Sequence, residues 1–238
     1  MYKGKVVVIT GASGGIGVHI AKEYAKLNAN VIAIDIIPKE FEEENIEFLK
    51  IDLENANDII KAFDYIVNKY NKVNVLINNG AISKFNKSIH DIQIEEFDKV
   101  IDINLRATFI CSKEFIKGNS NETYGRIINI ASTRYNQNES GWEAYGASKG
   151  GMVSLTNTMT ISLSDTPITV NTISPGWIQC ENYDTLTEID HKQHPSKRVG
   201  KPMDIVKACM FLSDEENDFV NGINLIVDGG ITKKMIYE

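Results

Sequence analysis

The chain has 238 residues, of which 42% are hydrophobic, and a net charge of −7 at pH 7. This length and apolar content suffice for one substantial core, and no stretch is typical of a linker, so we predict a single domain over residues 1–238. The acidic and basic residues are mixed along the chain, which argues against a nucleic-acid-binding surface. No apolar run reaches the roughly 18 to 20 residues of a membrane span, and no signal-peptide pattern opens the chain. The three cysteines have no metal-ligand spacing, so we expect no metal site and a reducing, cytoplasmic setting.

The first elements predict a turn that binds phosphate. Residues 5–10 form a short β-branched run typical of a buried parallel strand, and a glycine-rich turn, residues 10–17, leads into a helical pattern. This arrangement directs backbone N–H groups toward a phosphate. Asp35 follows the next predicted strand, residues 30–34, where a carboxylate can accept hydrogen bonds from both ribose hydroxyls of an adenosine. Because the carboxylate would repel a 2′-phosphate, the pattern favours NAD(H) over NADP(H); Lys39 lies close enough to leave NADP(H) open.

Alternating strands and helices continue along the rest of the chain. We predict further strands at residues 45–51, 73–77, 126–131, 168–173 and 224–227. Such alternation predicts an α/β fold with a Rossmann-type doubly wound parallel sheet of about seven strands and helices on both faces. Ligands of such sheets bind beyond the carboxyl ends of the strands.

Two features of the second half indicate a reactive site. Tyr145 and Lys149 are four residues apart, so on a helix they share one face, where an ammonium would lower the pKa of the phenol. Ser132 lies thirteen residues before Tyr145, at the end of a predicted strand. Alone, the Tyr–Lys spacing also fits the edge of an ordinary amphipathic helix. Within the predicted helix of residues 94–116, Asn104 is either a satisfied core group or part of a polar site.

Residues 177–199 form the least regular stretch, which is typical of a lid over a substrate. Arg134, two residues beyond Ser132, either pairs with an anionic substrate or lies solvated on the rim of the site.

In their order and spacing, these motifs resemble the short-chain dehydrogenase/reductase family, in its subfamily of single Rossmann domains. The resemblance covers Thr10 to Gly230. The matching motifs are Thr10-Gly11-xxx-Gly15-x-Gly17, Asp52-Leu53, Asn78-Asn79, Asn104, Ser132, Tyr145-xxx-Lys149, Asn171-x-Ile173-x-Pro175-Gly176, Arg198-x-Gly200-x-Pro202 and Val227-Asp228-Gly229-Gly230.

The resemblance implies four catalytic residues. Tyr145 would exchange a proton with the substrate, and Lys149 would hold the cofactor ribose and lower the tyrosine pKa. Ser132 would hydrogen-bond the substrate oxygen, and Asn104 would position a water in a proton relay. The resemblance also implies cofactor contacts from Gly11, Ser13, Ile16, Gly17, Asp35, Asp52, Leu53, Asn79, Tyr145, Lys149, Pro175, Gly176 and Ile178.

Two positions depart from the family pattern. The usual Asn-Asn-Ala-Gly is here Asn78-Asn79-Gly80-Ala81, which changes the residue that can take a positive φ. Cys180 stands where a threonine often contacts the cofactor, and a thiol is a weak hydrogen-bonding group.

From these features the chain is expected to be an NAD(H)-dependent oxidoreductase that interconverts a secondary alcohol and a ketone. A small-molecule substrate and a homodimer or homotetramer are the expected partners. The alternatives are an NADP-dependent enzyme like the 3-oxoacyl carrier-protein reductases and, because the fold alone does not require turnover, a non-catalytic dinucleotide sensor.

Overall fold

A computed structural model describes residues 2–235 and contains a sheet of seven strands. The strands are β1 (Val6–Thr10), β2 (Asn30–Asp35), β3 (Ile46–Lys50), β4 (Val75–Asn78), β5 (Gly125–Ile130), β6 (Ile168–Pro175) and β7 (Asn224–Val227). Their spatial order is β3-β2-β1-β4-β5-β6-β7, and every neighbouring pair is parallel. The predicted fold class is therefore confirmed.

Helices cover both faces of this sheet, so its strands are apolar on both sides. The helices are α1 (Gly15–Lys26), α2 (Ala56–Tyr70), α3 (Ile94–Ile101), α4 (Ala107–Gly118), α5 (Glu143–Ser162), α6 (Glu188–Lys192) and α7 (Pro202–Ser213). One core contains Ile20 and Tyr24 of α1 and Ile205 of α7, and the other contains Phe63 of α2 and Phe115 of α4. Across residues 2–235, none of the helices has both the length and the apolar character to cross a bilayer.

The sheet order places the predicted motifs at one edge. The chain leaves β1 toward β2 and β3 on one side, and β4 to β7 lie on the other, so the direction of winding reverses beside β1. The ends of parallel strands meet at the same edge, and a crevice forms where the winding reverses. Thr10, Asp35, Asn78, Ile130 and Pro175 are the last residues of their strands at this edge.

The predicted helix of residues 94–116 differs most from the structure. Helix α3 ends at Ile101, a π-helical turn spans Asp102–Arg106, and α4 follows. A π turn widens the helix by one residue and occurs frequently at functional sites. The apolar residues on either side of Asn104 keep helical spacing, so periodicity alone predicted one continuous helix.

Residues 177–199 contain a short 3₁₀ turn, Tyr183–Thr185, and α6. The segment is attached at its ends. A β-bridge joins Ile178 to Gly200, and the Tyr183 hydroxyl donates to the Val199 carbonyl at 2.7 Å. Because these bonds fix its base, the stretch is more ordered than its sequence indicated; its role as a lid stays a prediction.

Candidate active site

The glycine-rich turn after β1 has two positions, Gly11 and Gly17, that are packed too tightly for a side chain. Gly11 has a φ of +64°, and a Cβ on it would lie 2.6 Å from the Cα of Gly80. A Cβ on Gly17, in the first turn of α1, would overlap the carbonyl oxygen of Gly11. Both positions therefore require glycine, and the backbone of the turn is left open to a ligand.

Asn79 fastens this turn to the end of β4. Its side-chain amide donates to the carbonyls of Thr10 (3.1 Å) and Gly11 (2.9 Å). The Thr10 hydroxyl in turn accepts from the backbone N–H groups of Asn79 and Gly80. The amide of Asn79 therefore holds the glycine-rich turn in place. Its predicted contact with the cofactor ribose stays a prediction.

The start of α1 suits an anion. The first turn has no acidic residue and no side-chain cap, so the positive end of the helix dipole is not neutralised there. Asp35 stands beside it, and its carboxylate accepts from the backbone N–H groups of Ser13 (2.9 Å) and Ile37 (3.0 Å). The Ser13 hydroxyl donates to the Ile37 carbonyl. These bonds hold Asp35 in place while each carboxylate oxygen keeps further capacity to accept. Ile16 lies in this first helical turn and is half-buried.

The swapped motif after β4 has a steric explanation. Neither Gly80 nor Ala81 has a positive φ. A Cβ on Gly80 would overlap Leu53 Cδ1 and lie 3.2 Å from the Gly11 amide nitrogen. Position 80 therefore requires glycine because Leu53 and Gly11 lie so close to it. The sequence suggested a change in φ as the reason, and the structure does not show one. Asp52 lies beside Leu53 and accepts from the Glu54 N–H at 2.9 Å.

The residues that follow β6 reach the same edge of the sheet. Pro175 is buried at the end of β6, and the Gly176 N–H donates to the Val227 carbonyl at 3.0 Å. Ile178 is half-buried where its bridge to Gly200 begins the segment of residues 177–199. The Cys180 sulfur lies 3.7 Å from the position of a Cβ on Gly15. The thiol therefore lies beside the phosphate turn, on the side where the resemblance expects the cofactor.

Ser132 and Tyr145 lie together, as the sequence predicted. Ser132 follows β5 in extended conformation, and its hydroxyl accepts from the Arg134 N–H at 3.2 Å. Burial raises the pKa of the Tyr145 phenol above its ordinary value, while the neighbouring Ser132 side chain and the charge of Arg134 oppose the rise. The sequence led us to expect a lowered tyrosine pKa with Lys149 as the cause. The structure differs on both points, because burial outweighs the opposing groups and those groups are Ser132 and Arg134.

Lys149 is buried one helical turn after Tyr145. Its Nζ donates to the Ile130 carbonyl at 2.8 Å and lies 5.5 Å from the centroid of the Tyr145 ring. Burial lowers the pKa of this ammonium to about 7. The amine lies at the end of β5, beside the ring of Tyr145.

Asn104 is fully buried in the π turn, and both polar atoms of its side chain have partners. The Oδ1 atom accepts from the Ile82 N–H at 2.8 Å, and the amide donates to the Ile82 carbonyl and to the Ser148 hydroxyl. Ser148 passes the link to α5 by donating to the Tyr145 carbonyl at 2.7 Å. Asn104 therefore ties the loop that follows β4 to α5, the helix that carries the tyrosine.

Sequence patterns did not predict every residue of this region. Ser148 is a small polar residue between Tyr145 and Lys149, and nothing in its spacing marks its bond to Asn104. Lys234 lies in the C-terminal tail and lines a cavity of about 790 Å³ that also contains Ser132. The Asp228-Gly229-Gly230 turn sends the tail back toward this cavity, which a sequence alone could not reveal.

Comparisons with known proteins agree with this geometry. The sequence model of a family described as "Enoyl-(Acyl carrier protein) reductase" matches residues 11–232. A Thermotoga maritima oxidoreductase is 41% identical over the full length of both chains. A Rickettsia bellii protein named as a 3-oxoacyl-[acyl-carrier-protein] reductase is 35% identical, with 96% of this chain and 97% of its own covered. The solved structure of an apo SCOR enzyme from Clostridium thermocellum superposes with a TM-score of 0.90 at 35% identity, over 100% of this chain and 96% of its own.

Proposed function

We propose that this chain, which belongs to the short-chain dehydrogenase/reductase family, is an NAD(H)-dependent oxidoreductase that interconverts a secondary alcohol and a ketone. The family membership supports an oxidoreductase, and the substrate and cofactor preference are our inference. The observation that carries the proposal is the meeting of Ser132, Tyr145 and Lys149 at the sheet edge, beside a turn in which Gly11 and Gly17 have no room for a side chain.

The residues at this edge fit a dinucleotide. The crowding around Gly11 and Gly17 leaves backbone where a pyrophosphate would bind, and the unneutralised start of α1 favours its charge. Asp35 would accept from the adenosine ribose. By the family resemblance, Asp52 and Leu53 would border the adenine. The other proposed contacts are Ser13, Ile16, Asn79, Tyr145, Lys149, Pro175, Gly176 and Ile178.

The side chains around Tyr145 support proton transfer to or from a substrate oxygen. When bound, the nicotinamide would supply the hydride exchange. Tyr145 would give its phenolic proton to the oxygen during ketone reduction and accept it during alcohol oxidation. The Ser132 hydroxyl would donate to the same oxygen, where negative charge develops.

Lys149 and Asn104 would act on the tyrosine from behind. Because its pKa is about 7, Lys149 can hold or release a proton near neutrality, which suits the end of a proton path. Asn104 would position this path by holding α5 through Ser148. The water expected next to Asn104 stays a prediction, as do the lid role of residues 177–199 and the homodimer or homotetramer.

The cofactor preference is tested by titrating the purified protein with NADH and, separately, with NADPH while following tryptophan fluorescence. We expect tighter binding of NADH. Asp35→Asn keeps the size of the side chain and removes its charge, so the ratio of NADH to NADPH affinity should fall by about tenfold or more, as loss of charge repulsion at close range requires. Asp52→Asn removes a charge near the adenine and should change both affinities by the same factor.

A second outcome would favour a different member of the family. The Rickettsia bellii relative bears the name of a 3-oxoacyl carrier-protein reductase, and an NADP-dependent activity of that kind is the alternative. Tighter binding of NADPH by the unmodified chain would favour this NADP-dependent activity over the NAD(H)-dependent one. A chain that bound neither dinucleotide would refute the proposed function itself.

A further inference from the structure

The cavity beside Ser132 has a locally cationic lining. Of its described lining residues, three are charged: Arg134, Lys234 and Glu139. Two positive groups and one negative group therefore face the cavity in a protein whose net charge is −7. Its volume of about 790 Å³ suits a small-molecule ligand. An anionic ligand would find there a local charge opposite to that of the protein as a whole.

Arg134 is held in this cavity by an aromatic surface. Its guanidinium lies over the ring of Trp142 at 4.0 Å, and Trp142 packs edge-on against Tyr145 with ring centroids 5.6 Å apart. The Arg134 side chain is only 22% exposed. This cation–π contact holds the guanidinium against the ring and leaves most of its N–H donors free to bind. Arg134 is therefore partly buried against Trp142, and its pairing with an anionic substrate stays a prediction.

The polar partner of Arg134 is a replaceable one. Its guanidinium forms an ion pair with Glu139 at 3.1 Å, and the Glu139 side chain is 72% exposed. Within residues 2–235 no other side chain or carbonyl binds this guanidinium. By contrast, Arg126 donates to four backbone carbonyls, those of Gly125, Pro167, Asp214 and Glu215. Arg126 is committed to the fold, whereas Arg134 keeps most of its donors.

We propose that Arg134 determines substrate specificity by binding the carboxylate of a small hydroxy- or keto-acid, which takes the place of Glu139. This inference rests on the proposed function, because Ser132 and Tyr145 must act on the hydroxyl or carbonyl of the same molecule. A carboxylate is the favoured anion since Arg134 already pairs with one at 3.1 Å. The bond between an exposed Glu139 and Arg134 contributes little stability, so exchange costs little.

The test compares acids with their neutral esters in two assays. Steady-state kinetics with NAD use lactate, 3-hydroxybutyrate and the methyl ester of each. Equilibrium binding of the same four probes is followed by tryptophan fluorescence, with and without NADH, because an alcohol is not turned over in the presence of the reduced cofactor. The proteins are the unmodified chain, Arg134→Gln, Glu139→Gln and the control Lys26→Gln, which removes one exposed charge on α1.

We expect the unmodified chain to bind at least one acid more tightly than its ester. Arg134→Gln should lower the affinity for that acid by about tenfold or more, because a charge-assisted hydrogen bond is lost, and should change the affinity for the ester by less than about twofold. Glu139→Gln should raise the affinity for the acid or leave it unchanged, since it removes the competing carboxylate. With the ester as substrate, Arg134→Gln should shift the pH profile upward, because Arg134 lowers the pKa of Tyr145. Lys26→Gln should match the unmodified chain.

Three results would overturn the inference. Equal losses for acid and ester in Arg134→Gln would mean that Arg134 only shapes the cavity. No preference for either acid over its ester, in kinetics or in binding, would remove the anion site. A loss of acid binding in Glu139→Gln would contradict the exchange. NADH affinity, measured in the same titrations, keeps these results separate from a failure of the proposed function.

Discussion

The two sides of the candidate site are built differently. The proposed cofactor side comprises residues 10–17, Asp35 and residues 79–80, where side chains bind backbone groups and Gly11, Gly17 and Gly80 leave no room for a Cβ. The substrate side comprises residues 133–142 and 177–199. Most of its residues are exposed, including every one of residues 136–140. The ion pair there joins a partly buried Arg134 to an exposed Glu139.

The difference shows where the chain can vary without losing its fold. At Gly11 and Gly17 of the proposed cofactor side a new side chain must displace backbone, so a substitution there affects stability and dinucleotide binding together. On the substrate side an exposed residue can change while the sheet and the turn stay in place. We therefore expect the cofactor side to govern whether the protein folds and binds a dinucleotide, and the substrate side to govern what it acts on.

Tyr145→Phe should have the largest effect on turnover. It tests whether the tyrosine acts in the reaction without contributing to NADH affinity. The phenolic proton is removed while the ring and its packing against Trp142 remain. We expect kcat to fall by about 10²- to 10⁴-fold, the usual contribution of general acid–base catalysis. NADH affinity should stay within about twofold, as measured by fluorescence titration. Unchanged turnover would refute the assigned mechanism.

Gly17→Ala should break the cofactor side. The new Cβ would overlap the Gly11 carbonyl, which is backbone and cannot rotate away. We expect a loss of about 3 kcal/mol in the free energy of unfolding and a melting temperature lower by about 6 °C or more. NADH affinity should fall by at least about tenfold because the phosphate turn must shift to admit the methyl group.

Gly14→Ala is the matched control for that substitution. A Cβ on Gly14 would have no atom within 4 Å, and the φ of Gly14 is −145°, which alanine adopts without strain. Its melting temperature should stay within about 2 °C of the unmodified chain, as for surface substitutions in general. A drop as large as that of Gly17→Ala would contradict the view that close backbone packing fixes the turn.

Much of the fold could be read from the sequence because its signals are local. Short β-branched runs alternate with helical periods, and this alone predicts strands, crossovers and the edge where ligands bind. The predicted strand of residues 224–227 has the bounds found in the structure. The π turn at Asp102–Arg106 was missed because one extra residue in a helix leaves the apolar spacing on either side intact.

The site was predicted less completely because its electrostatics depend on packing. The positions of Ser132, Tyr145 and Lys149 follow from spacing, but the raised pKa of Tyr145 follows from burial, which the spacing does not report. Likewise, the stacking of Arg134 on Trp142 joins residues eight apart in an irregular loop, and no periodicity predicts it. Position 80 requires glycine because Leu53 lies close to it, and this contact depends on how β1, β3 and β4 are arranged in the sheet.

Lys149→Met tests whether the buried amine of Lys149 destabilises the folded protein. The expected change in melting temperature is smaller than that of Gly17→Ala. Burial lowers the pKa of Lys149 from its ordinary 10.5 to about 7. Between pH 7 and 10.5 the unfolded chain therefore binds more protons at this residue than the folded chain, so this contribution to stability rises with pH. Methionine never carries the charge. We expect the variant to melt about 4 °C or more above the unmodified chain at pH 7, with the gap narrowing toward pH 10. Lys26→Met, at an exposed position, should show no such pH-dependent gap. A gap for Lys149→Met that stayed constant from pH 7 to 10 would mean that the lysine remains charged in the folded protein, and its proposed place at the end of the proton path would be lost.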